Sequence, residues 1–353
     1  MESITCANGV RIVYERVPAV RSASLGIWVA NGSRCETAEE NGISHFIEHM
    51  LFKGTPGRTA SDIAAAMDRL GGQFNAYTSK ENTTFYFRAL DEQLPAAIDV
   101  LSDMFLHSLF RERDMNLERT VVYEEIDMVE DTPDELVSDK LAASAFADSP
   151  LGFPIIGTRE TLASMTGQTL HGYMDAHYVP ESIVVALAGS FDDAVLAQLR
   201  AVFETLPVRP APAVRPASYR AGESFTEKAI EQNHLCLGFP GIPYTASDRF
   251  EAQVFSNILG GGMSSRLFQR VREDAGLCYS IYTFQSHYAD TGLFGIYTAL
   301  SASNQARAER LIRDGGMGHT ASIYLNPVTA RDTLDAFAAL VRHILDTSDD
   351  AVA

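Results

Sequence analysis

The sequence predicts a two-domain protein of mixed α and β structure, of the α/β or α+β class. Its 353 residues exceed the size at which a single hydrophobic core usually stops growing. Helical, alanine-rich stretches alternate with β-branched runs such as GVRIVYERV and SIVVALAG. The proline-rich segment PVRPAPAVRPASYRAGES, residues 207–224, has the composition of an extended linker. We therefore expect an N-terminal domain, 1–206, and a C-terminal domain, 225–353.

The N-terminal domain is predicted to begin with two strands, GVRIVYERV and SASLGIWVA. A helix follows within GISHFIEHMLFKGT, residues 42–55, and ASDIAAAMDRLGG is a second helix that ends at its two glycines. Next, GQFNAYTSKENTTFYFRAL has β-branched and aromatic residues on both sides of the polar SKEN, which predicts two strands joined by a turn. Helices dominate from residue 92 to about residue 148.

The C-terminal domain repeats this order in outline. Its predicted strands are HLCLGFPGI and GLFGIYTAL, and its predicted helices are RFEAQVFSNIL and SSRLFQRVRED. The succession of strand and helix broadly echoes that of the first domain.

Charge and hydropathy narrow the range of partners. The net charge is −18, so the protein lacks the basic surface that nucleic-acid binding requires. Acidic residues concentrate in YEEIDMVEDTPDEL, residues 123–136, which is either a solvated helix face or a field that attracts substrate. No uninterrupted apolar run approaches the roughly 18 residues of a membrane span. We therefore expect that the protein does not bind nucleic acid and contains no membrane span.

The cysteine pattern indicates a reducing compartment. The four cysteines, Cys6, Cys35, Cys236 and Cys278, lie far apart and show no C-x-x-C spacing. The chain begins without the features of a secretory signal peptide. Reduced thiols in a cytoplasmic protein are therefore expected.

The stretch GISHFIEHMLFKGT carries the functional prediction. His45 and His49 are four residues apart, so on a helix both imidazoles project from one face and can bind one metal ion. Glu48 lies near that face, in the reverse order of the H-E-x-x-H zinc motif, and is expected to be the general base for the water that the metal binds. The apolar neighbours predict a buried helix, in which ionisable groups are costly unless a metal compensates them. A chance match is the alternative.

A third ligand is expected on the helix NLERTVVYEEIDMV. Two carboxylates and three valines share one stripe, at i, i+3, i+4, i+7 and i+11: Glu118, Val121, Val122, Glu125 and Val129. Glu125 is predicted to be the metal ligand, with a buried salt bridge as the alternative. Glu118 either orients a ligand or pairs with Arg119 or Arg113.

GISHFIEHMLFKGT, followed by VVYEEIDMVEDTP, closely resembles the pitrilysin-type zinc metallopeptidases, which include insulin-degrading enzyme and the catalytic subunit of mitochondrial processing peptidase. The chain is most similar to the short bacterial processing-peptidase-like members. The resemblance implies that His45, His49 and Glu125 bind one Zn²⁺ per chain, that Glu48 is the base and that Glu118 supports catalysis. The implied reaction is hydrolysis of peptide bonds in extended peptides or presequences.

The resemblance also implies where a peptide substrate binds. An extended peptide would add by main-chain hydrogen bonds to an edge strand formed by Phe74, Asn75, Ala76 and Tyr77. Arg272 and Tyr279 match a paired arginine and tyrosine that reach the substrate near the metal, where the Tyr279 hydroxyl would stabilise an oxyanion. From the sequence alone, Arg272 is more often a charged helix residue and Tyr279 more often a core aromatic, and the resemblance favours a functional role for both.

The family's architecture sets further expectations. The resemblance implies an α+β fold with two related domains, each a largely antiparallel sheet covered by helices. Related enzymes enclose substrate in a chamber made from two such two-domain halves, and one chain of this length supplies only one half. A homodimer, or a heterodimer with a sister subunit, is therefore expected. After residue 300 the chain is short and departs from the family pattern. Either the helix TARDTLDAFAALVRHIL replaces part of the usual helical layer or the second domain is incomplete.

Two other functions fit the same resemblance. One is a non-catalytic subunit that binds peptides beside an active partner, although such subunits typically lack the histidines or the glutamate. The other is a specialised peptidase that matures a peptide-derived cofactor. The complete set of His45, Glu48, His49 and Glu125 favours an enzyme.

Overall fold

The computed structural model describes residues 1–312 and divides them into two compact units. The first comprises Met1–Met128 and Phe153–Arg215, and the second comprises Val129–Gly152 and the described residues from Pro216 onward. The passage from Arg215 to Pro216 lies inside the proline-rich segment. The predicted helix TARDTLDAFAALVRHIL lies outside the described residues.

The first unit contains a six-stranded sheet. Its strands are β1 Glu2–Thr5, β2 Arg11–Arg16, β3 Ser22–Val29, β4 Gln73–Thr78, β5 Thr83–Leu90 and β6 Ile183–Gly189. Their order is β1-β2-β6-β3-β5-β4, and every neighbouring pair is antiparallel except β2 and β6. The sheet is therefore largely antiparallel, as predicted, and β4 is one of its edges.

Helices supply the rest of the first unit. They are α1 Ile43–Met50, α2 Ala60–Leu70, α3 Leu94–His107, α4 Glu112–Asp131, α6 Arg159–Ser164, α7 Gly167–His177 and α8 Asp193–Phe203. The last three residues of α4 belong to the second unit. The second half of β5 alternates as a half-buried strand should: Phe85 and Phe87 are fully buried, whereas Arg88 is exposed. The two phenylalanines belong to one core with Phe46 and Ile47 of α1. Helix α1 is thus packed against the sheet.

The second unit has three described strands and several helices. They are α5 Pro133–Ala145, β7 Asn233–Gly241, α9 Arg249–Gly260, β8 Cys278–His287, β9 Gly292–Leu300 and α10 Gln305–Arg310. The strands are antiparallel in the order β7-β9-β8. Leu141 of α5 packs against Gly238 of β7. The expected continuous domain 1–206 therefore needs a correction. The segment Val129–Gly152 belongs to the second unit, because its helix α5 packs against β7.

The two sheets share a local topology. In the first unit β3, two helices and the hairpin β4–β5 follow in sequence, and the strands lie in the order β3-β5-β4. In the second unit β7, α9, a π-helical turn over Phe268–Glu273 and the hairpin β8–β9 give the order β7-β9-β8. The prediction of an α+β protein with two related domains is confirmed. The predicted helix SSRLFQRVRED is present, and its Phe268–Glu273 part is π-helical.

The structure also bears on membrane association. Across residues 1–312, no helix combines the length and the apolar character that crossing a bilayer requires.

Candidate metal centre

A buried carboxylate fixes the start of α1. Glu36 Oε2 accepts hydrogen bonds from the Gly42 backbone N–H at 2.8 Å and from Asn41 Nδ2 at 2.9 Å, and Oε1 accepts from the Ser44 N–H at 3.0 Å. These contacts satisfy N–H groups that a helix leaves unpaired at its first turn. Burial raises the pKa of Glu36 despite these hydrogen bonds.

Gly42, the residue before α1, has a conformation suited to glycine. Its φ is +93°, and a Cβ at this position would lie 2.7 Å from Gly157 Cα. Any larger residue would therefore meet both backbone strain and a clash. The conformation of the chain at the start of α1 therefore depends on Gly42 as well as on Glu36.

Helix α1 divides its residues between the core and the site. Ile43, Phe46, Ile47 and Met50 have at most 1% of their surface exposed, as an amphipathic helix against a sheet requires. The opposite side carries His45, Glu48 and His49. The prediction that this helix, with three polar groups on one side, is largely buried is confirmed.

Three of the predicted residues converge. Donor atoms of His45, His49 and Glu125 all lie within 4.8 Å of one another. His45 Nε2 is 3.6 Å from Glu125 Oε2, and His49 Nε2 is 3.6 Å from Glu125 Oε1. Donors in a tetrahedral zinc site lie about 3.4 Å apart, given metal–ligand distances near 2.05 Å. The two imidazoles and one carboxylate therefore fit a zinc ion in both chemistry and spacing.

Glu118 contacts His49, and Lys53 contacts Glu118. The Glu118 Oε1 atom is 2.8 Å from His49 Nδ1, and Lys53 Nζ is 2.5 Å from Glu118 Oε2. Burial opposes ionisation of Glu118, but its hydrogen bonds to His49 and Lys53 outweigh it and lower the carboxyl pKa. Burial likewise acts to lower the pKa of His49, yet Glu118 and Glu125 raise it. Glu118 thus orients His49 with its Nε2 toward Glu125.

His45 has a different environment. Burial, together with the neighbouring His49, lowers the pKa of His45 to about 3. A neutral imidazole is the form that can donate a lone pair to a metal. Its Nδ1 atom is buried and has no hydrogen-bond partner within residues 1–312. The two histidines therefore differ in how their rings are held.

Glu48 lies beside these donors but outside their cluster. The Thr78 hydroxyl, at the end of β4, donates a hydrogen bond to Glu48 Oε2 at 2.5 Å. Burial and the charge of Glu125 raise the pKa of Glu48, and the hydrogen bond from Thr78 opposes that rise. A carboxylate with a raised pKa and one oxygen that has no hydrogen-bond partner among the described residues is suited to accept and return a proton.

The predicted stripe on α4 needs one correction. Val121 is 45% exposed, because the buried face of α4 is centred on Val122 and Ile126 instead. Arg119 is buried on that face, where its guanidinium donates to the backbone carbonyls of Leu162 and Met165. Arg119 is therefore not the partner of Glu118.

The proposed substrate residues lie on both units. In the first unit β4 is an edge strand, with Asn75 and Tyr77 exposed and Phe74 stacked on Phe87 at 5.2 Å between ring centroids. In the second unit the Arg272 guanidinium carbon lies 5.0 Å from the centroid of the Tyr279 ring. Tyr279 is 76% exposed, so it is not a core aromatic.

Sequence reasoning missed Lys53, Thr78 and Glu36. Lys53 follows His49 by four residues, a spacing that could have marked it as a neighbour on the same helical face. Thr78 reaches Glu48 from a strand, and Glu36 reaches α1 from the preceding loop. These two contacts depend on tertiary folding, and no local pattern indicates them.

Comparisons with known proteins identify the family of the chain. Residues 11–159 match the family model described as insulinase, peptidase family M16, and residues 164–315 match the model described as peptidase M16 inactive domain. An uncharacterized zinc protease of Bacillus subtilis, YmxG, is 45% identical over 311 residues, covering 88% of this chain and 76% of the relative. An uncharacterized zinc protease of Streptomyces coelicolor is 44% identical over 320 residues, covering 88% and 70%.

Solved structures share the fold. A peptidase M16 inactive domain from Pseudomonas fluorescens superposes with a TM-score of 0.84 at 22% identity, covering 97% of this chain and 85% of that one. A protease from Helicobacter pylori has a TM-score of 0.80 at 20% identity, covering 99% and 91%. With the two family models spanning most of the sequence, the chain belongs to peptidase family M16, the insulinase family.

Proposed function

We propose that the protein is a zinc-dependent endopeptidase or oligopeptidase that hydrolyses extended peptides or presequences. The observation that carries the proposal is the convergence of His45, His49 and Glu125 donor atoms within 4.8 Å, with Glu48 beside them. The zinc protease names of the bacterial relatives support it.

His45, His49 and Glu125 would hold one Zn²⁺ per chain. When bound, the ion supplies Lewis acidity that polarises a peptide carbonyl and makes a water molecule acidic near neutral pH. Glu118 would keep His49 in the tautomer that carries its hydrogen on Nδ1, because the carboxylate can only accept that hydrogen. The Nε2 lone pair is then available to the ion.

Glu48 would move the proton. Since Thr78 occupies Oε2, the other oxygen is free to take a proton from the attacking water. The same carboxyl group would then deliver the proton to the amine that leaves when the peptide bond breaks. Burial of Glu48 favours this return, because a raised pKa makes the protonated form accessible.

The substrate would add to β4 as a further strand, with Phe74, Asn75, Ala76 and Tyr77 beside it. Main-chain pairing of this kind tolerates many side chains. Arg272 and the Tyr279 hydroxyl would contact the bound peptide near the scissile carbonyl.

We further propose that the active form is a dimer in the cytoplasm, either of this chain or with a sister subunit. The four cysteines are free thiols, which accords with a reducing compartment. Light scattering on the purified chain, alone and mixed with a candidate subunit, measures the assembly. A catalytically active monomer would contradict the dimer proposal.

A peptide library tests the proposed activity. Zinc-loaded wild type and the Glu48→Gln variant are incubated with unstructured peptides, and bound metal is quantified in both. We expect zinc in both proteins and cleavage by wild type alone. Glu124→Gln, a change at an exposed carboxylate of α4, is the matched control and should cleave normally. Bound zinc without cleavage by wild type would favour the non-catalytic subunit instead.

A further inference from the structure

We propose that Lys53 is a positioning residue for the metal centre. Its ammonium group holds the Glu118 carboxylate where that group accepts hydrogen from His49 Nδ1, which turns His49 Nε2 toward Glu125. The inference rests on the proposed zinc-binding role of His49 and Glu125. Lys53 would contact neither metal nor substrate and would act through Glu118.

The two histidine rings show why this position matters. Within residues 1–312, His45 Nδ1 has no hydrogen-bond partner, whereas His49 Nδ1 lies 2.8 Å from Glu118 Oε1. Side-chain hydrogen bonding therefore orients only the second ring. Any motion of the Glu118 carboxylate would pass directly to His49.

Glu118 is enclosed and needs a partner on each oxygen. Its side chain is 9% exposed, with His49 at Oε1 and Lys53 at Oε2. A buried carboxylate oxygen without a donor carries a substantial desolvation cost. Without Lys53, Glu118 would rotate toward water or compete for other donors. Lys53 thus supplies both the second donor and a full positive charge.

The backbone of Lys53 is itself fixed. Lys53 ends the short 3₁₀ turn Leu51–Lys53 that continues α1, one helical turn beyond His49. The Leu51 carbonyl accepts a hydrogen bond from Ser108 Oγ at 3.2 Å, and the Gly54 carbonyl accepts from the Leu109 N–H at 3.2 Å. These bonds tie the turn to the end of α3.

The ion pair also differs from an ordinary surface pair. Exposed pairs contribute little because water screens them and long side chains lose rotamer freedom. The Lys53 side chain is 32% exposed, and that of its partner only 9%. The pair can therefore hold a geometry that two solvated side chains would not.

The test measures metal binding by the full chain, independently of peptide cleavage. Competition with a chromogenic chelator gives the zinc affinity of wild type, Lys53→Met and Lys53→Arg. We expect Lys53→Met to bind zinc about 10- to 100-fold more weakly, the usual effect of losing a residue that orients a ligand. Lys53→Arg, which keeps the charge and the donor, should recover most of the affinity. Lys80→Met, at a half-buried lysine whose ammonium donates to the Phe153 carbonyl, is the matched control.

Two further measurements separate positioning from general stability. The visible spectrum of the Co²⁺-loaded protein reports ligand geometry, and it should shift in Lys53→Met but not in Lys80→Met. In a Glu118→Gln background, Lys53→Met should cause little additional loss of affinity. Circular dichroism checks folding, and Lys53→Gln replaces Lys53→Met if the latter is unfolded.

The outcomes distinguish this proposal from the proposed function. Zinc affinity and Co²⁺ spectrum unchanged in folded Lys53→Met would overturn the role of Lys53 and leave the peptidase proposal standing. An equal loss of affinity with Glu118 present or replaced would also overturn it, because Lys53 would then act by another route. Absence of zinc binding by wild type would overturn both proposals.

Discussion

The Thr78 hydroxyl donates a 2.5 Å hydrogen bond to Glu48 Oε2, which links the end of an edge strand to the proposed base. This bond stabilises the ionised carboxylate, whereas burial and Glu125 raise the pKa of Glu48. The base acts when it is ionised, so activity should fall as the pH drops through the pKa of Glu48. The position of this acidic limit should therefore depend on Thr78.

Thr78→Val should move the acidic limb of kcat/KM to higher pH by about one unit, because a hydrogen bond to a charged group is removed. The measurement is a pH–rate profile with a fluorogenic peptide, with zinc content checked throughout. Thr84→Val is the matched control, since Thr84 Oγ1 is buried and has no hydrogen-bond partner in the described part of the chain. A limb that stays in place in Thr78→Val would exclude Glu48 as the titrating base.

Zinc should stabilise the first unit by mass action. With free zinc about 1,000 times the Kd, the folded state gains about 4 kcal/mol. Calorimetry should show Tm falling on chelation of wild type and returning with zinc. Glu125→Gln should lose this response, and His171→Gln, at an exposed histidine of α7, should keep it. A response retained by Glu125→Gln would place the metal elsewhere.

Glu36 should matter for both folding and metal binding. Glu36→Ala removes three hydrogen bonds at the start of α1 and should lower the free energy of unfolding by about 2–4 kcal/mol. Zinc affinity should fall too, since α1 carries two of the three proposed ligands. Chemical denaturation and chelator competition measure these effects. Glu39→Ala, at an exposed position three residues later, should change the stability by less than about 0.5 kcal/mol.

Asp103 should give a pH-dependent contribution to stability. Although burial opposes ionisation, Thr55 and Arg58 lower the pKa of Asp103 through bonds of 2.8 Å and 2.6 Å to Oδ2. A lowered carboxyl pKa stabilises the fold above the unfolded-state pKa, and that contribution disappears as pH falls through the folded-state value. Asp103→Asn should therefore cost about 1–3 kcal/mol at pH 7 and much less once the pH is below the lowered pKa of Asp103.

Denaturant unfolding at several pH values checks this expectation for Asp103. Asp99→Asn is the control, because Asp99 pairs with the same Arg58 but is 64% exposed. Its effect should be at most about 1 kcal/mol. A penalty for Asp103→Asn that does not change with pH would show that lost packing, not charge, is responsible.

Strand addition to β4 predicts sensitivity to the peptide main chain. N-methylation of one amide near the scissile bond should lower kcat/KM about 2- to 10-fold for each hydrogen bond lost, while conservative side-chain changes should have less effect. A series of singly methylated peptides, assayed with wild type, measures this. Uniform tolerance of methylation would argue against the edge strand as the binding surface.

Local patterns predicted much of the site, and tertiary contacts account for the rest. The spacing of His45 and His49 fixes their shared face within one helix, so the sequence alone identifies them. The exposure of Val121 did not follow from its spacing, because Val122 and Ile126 set the buried face of α4. The fold class was predicted correctly, whereas the short β1 and the helices α6 to α8 were not identified.

The eight residues of α1 have a consequence for when the proposed metal site can form. An isolated helix of this length is unstable in water, so the histidines have no fixed geometry in a nascent or unfolded chain. The Glu36 contacts, the sheet and the distant Glu125 all come into place only when the first unit folds. High affinity should thus belong to the folded unit and not to the motif, which would spare chains still being synthesised from premature capture of metal.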